Sequence, residues 1–145
     1  MPAQTFDFRD DPSGTFLAVE NVRARFLRRE PGQPEGGFHS HVESGGVEVW
    51  VILDGQAKFE FKDGDRVREV VAGPGQAVFA WPDEPHRISC HGDKAVQYFL
   101  VVAPHREPTH THFDEDWKQL PSRNSNAKAV WKGQPGHTWE ARSRV

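Results

Sequence analysis

The sequence contains little cysteine, methionine or tyrosine, with one residue of each among 145. A single thiol cannot form an internal disulfide, so no disulfide framework holds the fold. No apolar run reaches the roughly 18 residues that a membrane-spanning helix requires. Residues 1–7 lack a basic segment followed by an apolar one, which is the pattern of a secretory signal. We therefore expect a cytoplasmic protein that has no membrane partner.

The sequence has no large excess of charge of one sign. It contains 18 Lys and Arg residues and 21 Asp and Glu residues, for a formal net charge of −3. This balance does not indicate general binding to polyanions, and no helix-turn-helix pattern is present, so we expect no nucleic-acid partner. The length favours one domain, 1–145, which can bury a core without a metal or disulfide staple.

Turn-forming and strand-forming residues are abundant, with 13 Gly, 11 Pro, 10 Phe and 5 Trp. This composition suits short strands and tight turns better than long helices. The dipeptides Asp54-Gly55 and Asp63-Gly64 each separate two apolar segments, which predicts two successive hairpins. The pattern predicts an all-β fold, either a sandwich or a barrel.

A histidine pair supplies the first sign of a metal site. Alternate residues of a strand share a face, so His39 and His41 point the same way if this segment is extended. Neutral imidazole is a common ligand for Zn, Cu, Fe and Ni. Glu48 can add a carboxylate if the chain folds back, and Glu43 is the alternative carboxylate. His86 opens a later strand after a proline-rich turn.

The stretch 39–55 resembles the first sequence motif of the cupin superfamily, in which a His-x-His pair precedes a Glu and then a Gly. Glu48 and Gly55 match that spacing, with six residues between them. The chain departs from the pattern between His41 and Glu48, where six residues make the interval longer than in the family.

The stretch 75–86 resembles the second cupin motif, and Gly75 and His86 fit its two ends. Trp81 and Asp83 replace the Pro and Gly of the family's turn. Aspartate tolerates the left-handed backbone better than most residues, so the exchange at position 83 is physically reasonable. The resemblance covers about residues 25–104.

This resemblance implies a small single-domain protein of the cupin 2-like type. The expected fold is a double-stranded β-helix, or cupin jelly-roll barrel, with its core at about 15–104 and a C-terminal extension at 105–145. The extension is expected to hold a short helical turn near 114–120 and a basic tail, either packed on a barrel or disordered. We expect a homodimer.

The resemblance also implies a divalent transition metal held by four ligands, His39, His41, Glu48 and His86. Four protein ligands leave room for substrate only at a five- or six-coordinate ion. Fe(II), Mn(II) or Ni(II) is therefore favoured, although Zn(II) is compatible with a purified sample. A second pair, His110 and His112, is rejected as a metal site because no carboxylate-bearing strand follows it.

The expected substrate pocket has an aromatic wall and one arginine, formed by Trp50, Phe59, Phe61, Phe79 and Arg25. Arg23 and Arg25 share a face of a predicted strand. That face is either solvated, or it brings an arginine to the barrel mouth to pair with a substrate carboxylate. Glu48 and Tyr98 are candidate catalytic acids or bases.

These residues suggest a metal-dependent enzyme for a small organic substrate that is aromatic or enolisable. We favour an iron dioxygenase, an oxidoreductase, over an isomerase or lyase. A non-catalytic module that binds a metal or a small ligand is the alternative.

Overall fold

Eleven β-strands and no helix form from the residues that the structure, a computed structural model, describes: 5–10, 12, 14–19, 21–122 and 130–131. No segment of this part of the chain forms a helix long and apolar enough to cross a membrane. The strands in chain order are β1 (Gly14–Val19), β2 (Val22–Arg29), β3 (His39–Ser40), β4 (Val47–Asp54), β5 (Gln56–Asp63), β6 (Arg66–Ala72), β7 (Ala77–Ala80), β8 (His86–His91), β9 (Val96–Ala103), β10 (Thr111–His112) and β11 (Val130–Trp131).

The strands pair into two antiparallel sheets. The six-stranded sheet has the order β11-β1-β2-β9-β4-β7, and the five-stranded sheet has the order β10-β3-β8-β5-β6. Neighbours in space are mostly distant in sequence, as in a jelly roll. The all-β jelly-roll fold expected from the sequence is confirmed.

The two Asp-Gly turns have different roles. Asp63-Gly64 closes the predicted hairpin between β5 and β6. Asp54-Gly55 does not close a hairpin, because β4 pairs with β7 and β9, whereas β5 belongs to the other sheet. Gly55 has a φ of 71°, and a Cβ there would collide with the backbone of Ala95. The turn therefore carries the chain between the sheets, and the hairpin predicted at Asp54-Gly55 is wrong.

Cross-strand register determines which side chains fill the space between the sheets. On β4, alternate residues from Glu48 to Ile52 are buried. They lie opposite alternate residues of β9 from Val102 back to Tyr98, which are buried as well. Since successive side chains of a strand point to opposite faces, these residues define the inner face of the six-stranded sheet.

Three of the predicted pocket aromatics form the centre of the core. Trp50, Phe59 and Phe61 are each 2% exposed or less. The ring centroids of Trp50 and Phe59 are 5.1 Å apart, and those of Phe59 and Phe61 are 6.4 Å apart. Packed in this way, they form a closed apolar floor and present almost no free surface to a substrate.

The fourth predicted pocket aromatic, Phe79, lies on the outside. Register pairs Phe79 with Val49 and Ala80 with Glu48, so Phe79 faces away from the side that carries Glu48. The side chain is 51% exposed and packs edge-on against Trp81, with 5.3 Å between the ring centroids. The prediction that Phe79 lines the substrate pocket is wrong, because the strand has the opposite parity to the one assumed.

The segment predicted as a helical turn is a non-helical turn in the structure. The side-chain oxygen Oδ1 of Asp114 accepts hydrogen bonds from the backbone N–H groups of Asp116 and Lys118, at 2.9 and 2.8 Å. Trp117 has a φ of 63°, which a right-handed helix does not permit. The aspartate side chain thus competes with helical hydrogen bonding.

Part of the basic tail pairs with a strand of the six-stranded sheet. Val130 and Trp131 form β11, which pairs with Ala18 and Leu17 of β1. This short strand agrees with the packed-tail interpretation. The remainder of the predicted tail, including Trp139, lies outside the described residues.

Two Phe→Ala substitutions test the assignment of inner and outer faces. Phe59→Ala removes a fully buried ring and is expected to lower the free energy of unfolding by about 3–5 kcal/mol. Phe79→Ala, the matched control at a half-exposed position, is expected to change it by less than about 1 kcal/mol. Urea denaturation followed by circular dichroism measures both, and equal losses would contradict the described parity of β7.

Candidate metal centre

Four side chains that are distant in sequence converge on one point between the sheets. One oxygen of Glu48, Oε2, lies 2.7 Å from His41 Nε2, 2.9 Å from His86 Nε2 and 3.6 Å from His39 Nε2. The candidate ligand atoms all lie within 4.8 Å of one another. Ligands bound to one ion at about 2.1 Å are separated by about 3 to 4.2 Å. The four residues predicted from the sequence can therefore share one cation after small adjustments.

Both sheets contribute to this cluster. His39 on β3 lies directly opposite His86 on β8. Glu48 reaches them from β4 of the other sheet. His41 follows β3, and its backbone N–H donates to the carbonyl of Pro82 at 2.9 Å. The cluster forms only when the two sheets are packed face to face.

The long interval between His41 and Glu48 is absorbed by a turn at residues 42–45. The N–H of Gly45 donates to the His41 carbonyl at 2.8 Å, which closes this turn and returns the chain to β4. Glu43 is exposed in the turn, whereas Glu48 is buried beside the imidazoles. The geometry therefore favours Glu48 over Glu43 as the carboxylate of the site.

Backbone carbonyls orient two of the imidazoles. His41 Nδ1 donates to the carbonyl of Thr109 at 2.7 Å, and His86 Nδ1 donates to the carbonyl of Glu84 at 2.8 Å. A carbonyl only accepts hydrogen bonds, so each Nδ1 carries a proton, and each Nε2 is the ring nitrogen that faces Glu48 and remains for a metal. Lone pairs that face a carboxylate need a proton or a cation between them. A shared divalent cation satisfies all these atoms at once.

The protonation states favour metal binding. Burial opposes ionisation of Glu48, but the hydrogen bonds with His41 and His86 and the nearby His39 hold its pKa well below the usual range. Burial lowers the pKa of His39 to about 4 and outweighs the attraction of Glu48. For His41, burial favours the neutral form, yet the contact with Glu48 prevails and raises the pKa. At neutral pH the cluster holds an ionised carboxylate and a neutral His39, the forms that ligate metals.

The histidines of the C-terminal extension border the same cluster. The His110 ring centroid lies 4.8 Å from that of His39 and 4.9 Å from that of His41. His112 lies directly opposite His39 where β10 pairs with β3. The absence of a later carboxylate-bearing strand is thus no guide to the position of this pair. Its His-x-His spacing, the same as that of His39 and His41, is the signal in the sequence that these residues could belong to a metal site. The sequence does not predict that β10 pairs with β3.

A buried threonine anchors this extension beside the ligands. Thr109 is 1% exposed, and its N–H and hydroxyl both donate to the Glu107 carboxylate, at 3.1 and 2.6 Å. The same residue presents its carbonyl to His41. The extension at 105–112 therefore supports the candidate site directly.

Two arginines of β2 share the inner face with Glu48. Register places Arg23 opposite Val102 and Arg25 opposite Leu100, and Val102 in turn lies opposite Glu48. Both arginine side chains are partly buried, and burial lowers the pKa of each. The interpretation of this face as a solvated outer surface is therefore wrong, and the role of Arg25 in a substrate pocket stays a prediction.

Tyr98 is also on the inner face but is not joined to the ligands by a hydrogen bond. It is 1% exposed, and its hydroxyl accepts a hydrogen bond from Arg29 Nε at 3.3 Å. Burial raises the Tyr98 pKa, so the phenol stays protonated at neutral pH. Its catalytic role stays a prediction.

Sequence comparison identifies the family. The family model described as the Cupin domain matches residues 25–103, which is more than half of the chain, and the protein belongs to this family. A search among curated proteins found no sequence match.

Solved structures show the same fold at low sequence identity. An uncharacterised conserved protein with a double-stranded β-helix domain from Klebsiella pneumoniae has a TM-score of 0.60 and 20% identity over 71% of this chain and 91% of that chain. A conserved protein of unknown function from Streptococcus pyogenes has a TM-score of 0.58 and 21% identity over 73% and 91%. A predicted oxalate decarboxylase from Thermotoga maritima has a TM-score of 0.50 and 22% identity over 59% and 69%.

Replacing each candidate carboxylate tests the ligand assignment. Glu48→Gln removes the anionic oxygen at the centre of the cluster. Loss of a residue that only hydrogen-bonds to a metal ligand weakens metal binding by roughly 10- to 100-fold. Because Glu48 is itself a candidate ligand, the variant is expected to weaken Zn(II) binding by more than this. Glu43→Gln is the matched control and is expected to bind like the wild type. Competition with a chromophoric chelator measures both affinities, and a stronger effect at Glu43 would reverse the assignment.

The pH dependence of the metal-free protein tests the burial of His110. Burial and the neighbouring His39 and His41 lower the His110 pKa to about 3. Below about pH 6.5 the unfolded chain takes up a proton that the folded chain excludes, so stability falls as the pH falls. Between pH 7 and pH 5 the free energy of unfolding is expected to decrease less in His110→Gln than in the wild type, by up to about 2 kcal/mol. His91→Gln, at an exposed position, is the control, and equal losses in both variants would contradict the burial of His110.

Proposed function

We propose that this protein is a metal-dependent enzyme, a dioxygenase in preference to an isomerase or lyase, that acts on a small enolisable substrate. The observation that carries the proposal is the convergence of three imidazole Nε2 atoms on one oxygen of Glu48. A donor set of three imidazoles and one carboxylate suits Fe(II), Mn(II) or Ni(II). Fe(II) is the ion that fits a dioxygenase, because it brings O2 beside a substrate.

The orientation of the donors supports a working site more than a purely structural one. Two imidazoles are fixed by carbonyls before any ion arrives, so little rearrangement is needed on binding. Four protein donors leave two positions of a six-coordinate ion for substrate and O2. When bound, the ion supplies the polarisation of a substrate oxygen and the activation of O2.

The access side is defined by the difference in burial among the histidines. The His39 side chain is 19% exposed, whereas those of His41 and His86 are at most 1% exposed. Trp50 closes the opposite side, with its ring centroid 5.2 Å from that of His86. A substrate therefore approaches past His39. Since the aromatic floor is closed, a small enolisable compound fits better than an aromatic one.

The chain's own groups have separate tasks in this proposal. Glu48 holds the ion and supplies the negative charge. Tyr98 is retained as a candidate proton donor, because its buried phenol stays protonated and shares the inner face. His110 forms the edge of the access side and excludes water from His41.

A non-catalytic metal-binding module is the second candidate. The closed packing of Trp50, Phe59 and Phe61 favours it, because these residues give a substrate no apolar pocket. In this case the ion stabilises the barrel, and its removal lowers the melting temperature without the loss of any reaction.

Oxygen uptake by the Fe(II)-loaded protein tests the enzyme proposal. The protein is reconstituted anaerobically and then mixed with O2 and a panel of 1,3-diketones, thiols and catechols. We expect uptake with at least one 1,3-diketone, a loss of about 100-fold or more in Glu48→Gln, and wild-type rates in Glu43→Gln. If iron binds and raises the melting temperature while every compound is inert, the second candidate replaces the first.

A further inference from the structure

Two arginine side chains face the interior without a described partner. The Nε atoms of Arg23 and Arg25 are buried and make no hydrogen bond to the part of the chain that the structure describes. Neither guanidinium takes part in an ion pair with a carboxylate of those residues. Buried charge of this kind is unfavourable unless an opposite charge is supplied.

Other arginines of the chain have carboxylate partners. Arg28, on the opposite face of the same strand, pairs with Glu30 at 2.5 Å. On β8, Arg87 forms a two-pronged pair with Glu60, at 2.7 and 3.0 Å. The fold thus gives carboxylates to Arg28 and Arg87, which lie away from the inner face of β2, and leaves Arg23 and Arg25 without them.

The charges inside the barrel do not balance. Glu48 attracts both Arg23 and Arg25, and Glu107 also attracts Arg23. Glu48 is already shared by three imidazoles, and Glu107 already accepts two hydrogen bonds from Thr109. A divalent cation at the candidate centre increases the positive charge further. An anion bound between the arginines and the cation would restore the balance.

Strand register places both arginines on the same sheet face as Glu48. Arg23, Val102 and Glu48 lie in one row across adjacent strands, so the α-carbons of Arg23 and Glu48 are about 10 Å apart. Arg25 occupies the next inner-face position of β2, in the row of Leu100 and Trp50. Both arginines therefore share one face of the six-stranded sheet with Glu48, from which they are separated by the single strand β9.

Resting on the proposed function, we infer that Arg23 and Arg25 form an anion site beside the metal centre and that the substrate is a small organic carboxylate. The planar guanidinium forks bind the carboxylate. The rest of the substrate then lies toward Glu48 and the cation. The arginines thus select for negative charge and determine which end of the substrate meets the metal.

Calorimetric titration with malonate tests this inference on the full chain, in both the metal-free and the Zn(II)-loaded forms. Malonamide, of nearly the same shape but neutral, is the comparison ligand. We expect malonate to bind in both forms and malonamide to bind at least about 10-fold more weakly. Arg23→Gln and Arg25→Gln are each expected to weaken malonate binding about 10- to 100-fold.

Arg28→Gln is the matched control, because it removes the same charge from the other face of β2. It is expected to leave malonate affinity within about twofold of the wild type. Arg25→Lys keeps the charge but loses the fork, and it is expected to bind more weakly than the wild type and more tightly than Arg25→Gln. Circular dichroism shows whether each variant is folded. If Arg25→Gln does not fold, the comparison of Arg25→Lys with the wild type tests the inference instead.

Malonamide binding as tight as malonate binding would overturn the inference, as would undiminished binding by both glutamine variants. Binding of inorganic phosphate in place of malonate would overturn the carboxylate class. Elemental analysis of the same samples separates this result from the proposed function. If the protein takes up metal but binds no anion, the arginine site is rejected and the proposed metal-dependent enzyme is not. If it binds the anion but takes up no metal, the proposed enzyme is rejected and the arginine site is not.

Discussion

The contact between one oxygen of Glu48 and the Nε2 atoms of three histidines is the constraint on which the rest of the centre depends. It joins the two sheets, because Glu48 belongs to one and His39 and His86 to the other. Such a concentration of polar atoms inside a core is unfavourable unless every atom is satisfied. Carbonyl groups behind the imidazoles of His41 and His86 and the shared carboxylate in front of them provide partners on both sides, whereas His39 Nε2 is buried without a hydrogen bond to the described residues.

Around this contact the barrel is divided into an apolar and a polar half. Trp50, Phe59 and Phe61 pack below the imidazoles and hold His86 in place from that side. The other half carries charged side chains from β2. A low-dielectric floor beneath a cluster of charges strengthens each electrostatic interaction above it. The same packing that stabilises the fold therefore increases the affinity of the site for ions of the right sign.

Much of this arrangement could be predicted from the sequence, and the remainder depended on long-range pairing. The four candidate ligands were found because His-x-His and the later Glu and His have a spacing that resembles a known motif. Phe79 was misplaced because a short strand bounded by turns gives no signal that fixes its parity. The sequence does not decide whether Arg23 and Arg25 lie on the inner or the outer face of the sheet. Alternation shows that the two residues share a face but not which face is covered.

The position of the extension beyond β9 is the feature that the sequence predicts least. Nothing local indicates that residues 109–112 return to the edge of β3, because such a contact is set by tertiary packing. The histidines there were weighed as a separate site and dismissed, although they belong beside the first one. A candidate site assembled from motifs alone thus omits the segments that surround it.

The hydrogen bond from His41 to the carbonyl of Thr109 has a consequence for how the protein is made. All four candidate ligands leave the ribosome before residue 109 does, yet His41 has no fixed ring orientation until Thr109 arrives. A nascent chain therefore carries the complete set of donors in a form that holds ions only loosely. The ring of His41 is therefore oriented only after residue 109 has emerged, later than the emergence of the ligands themselves.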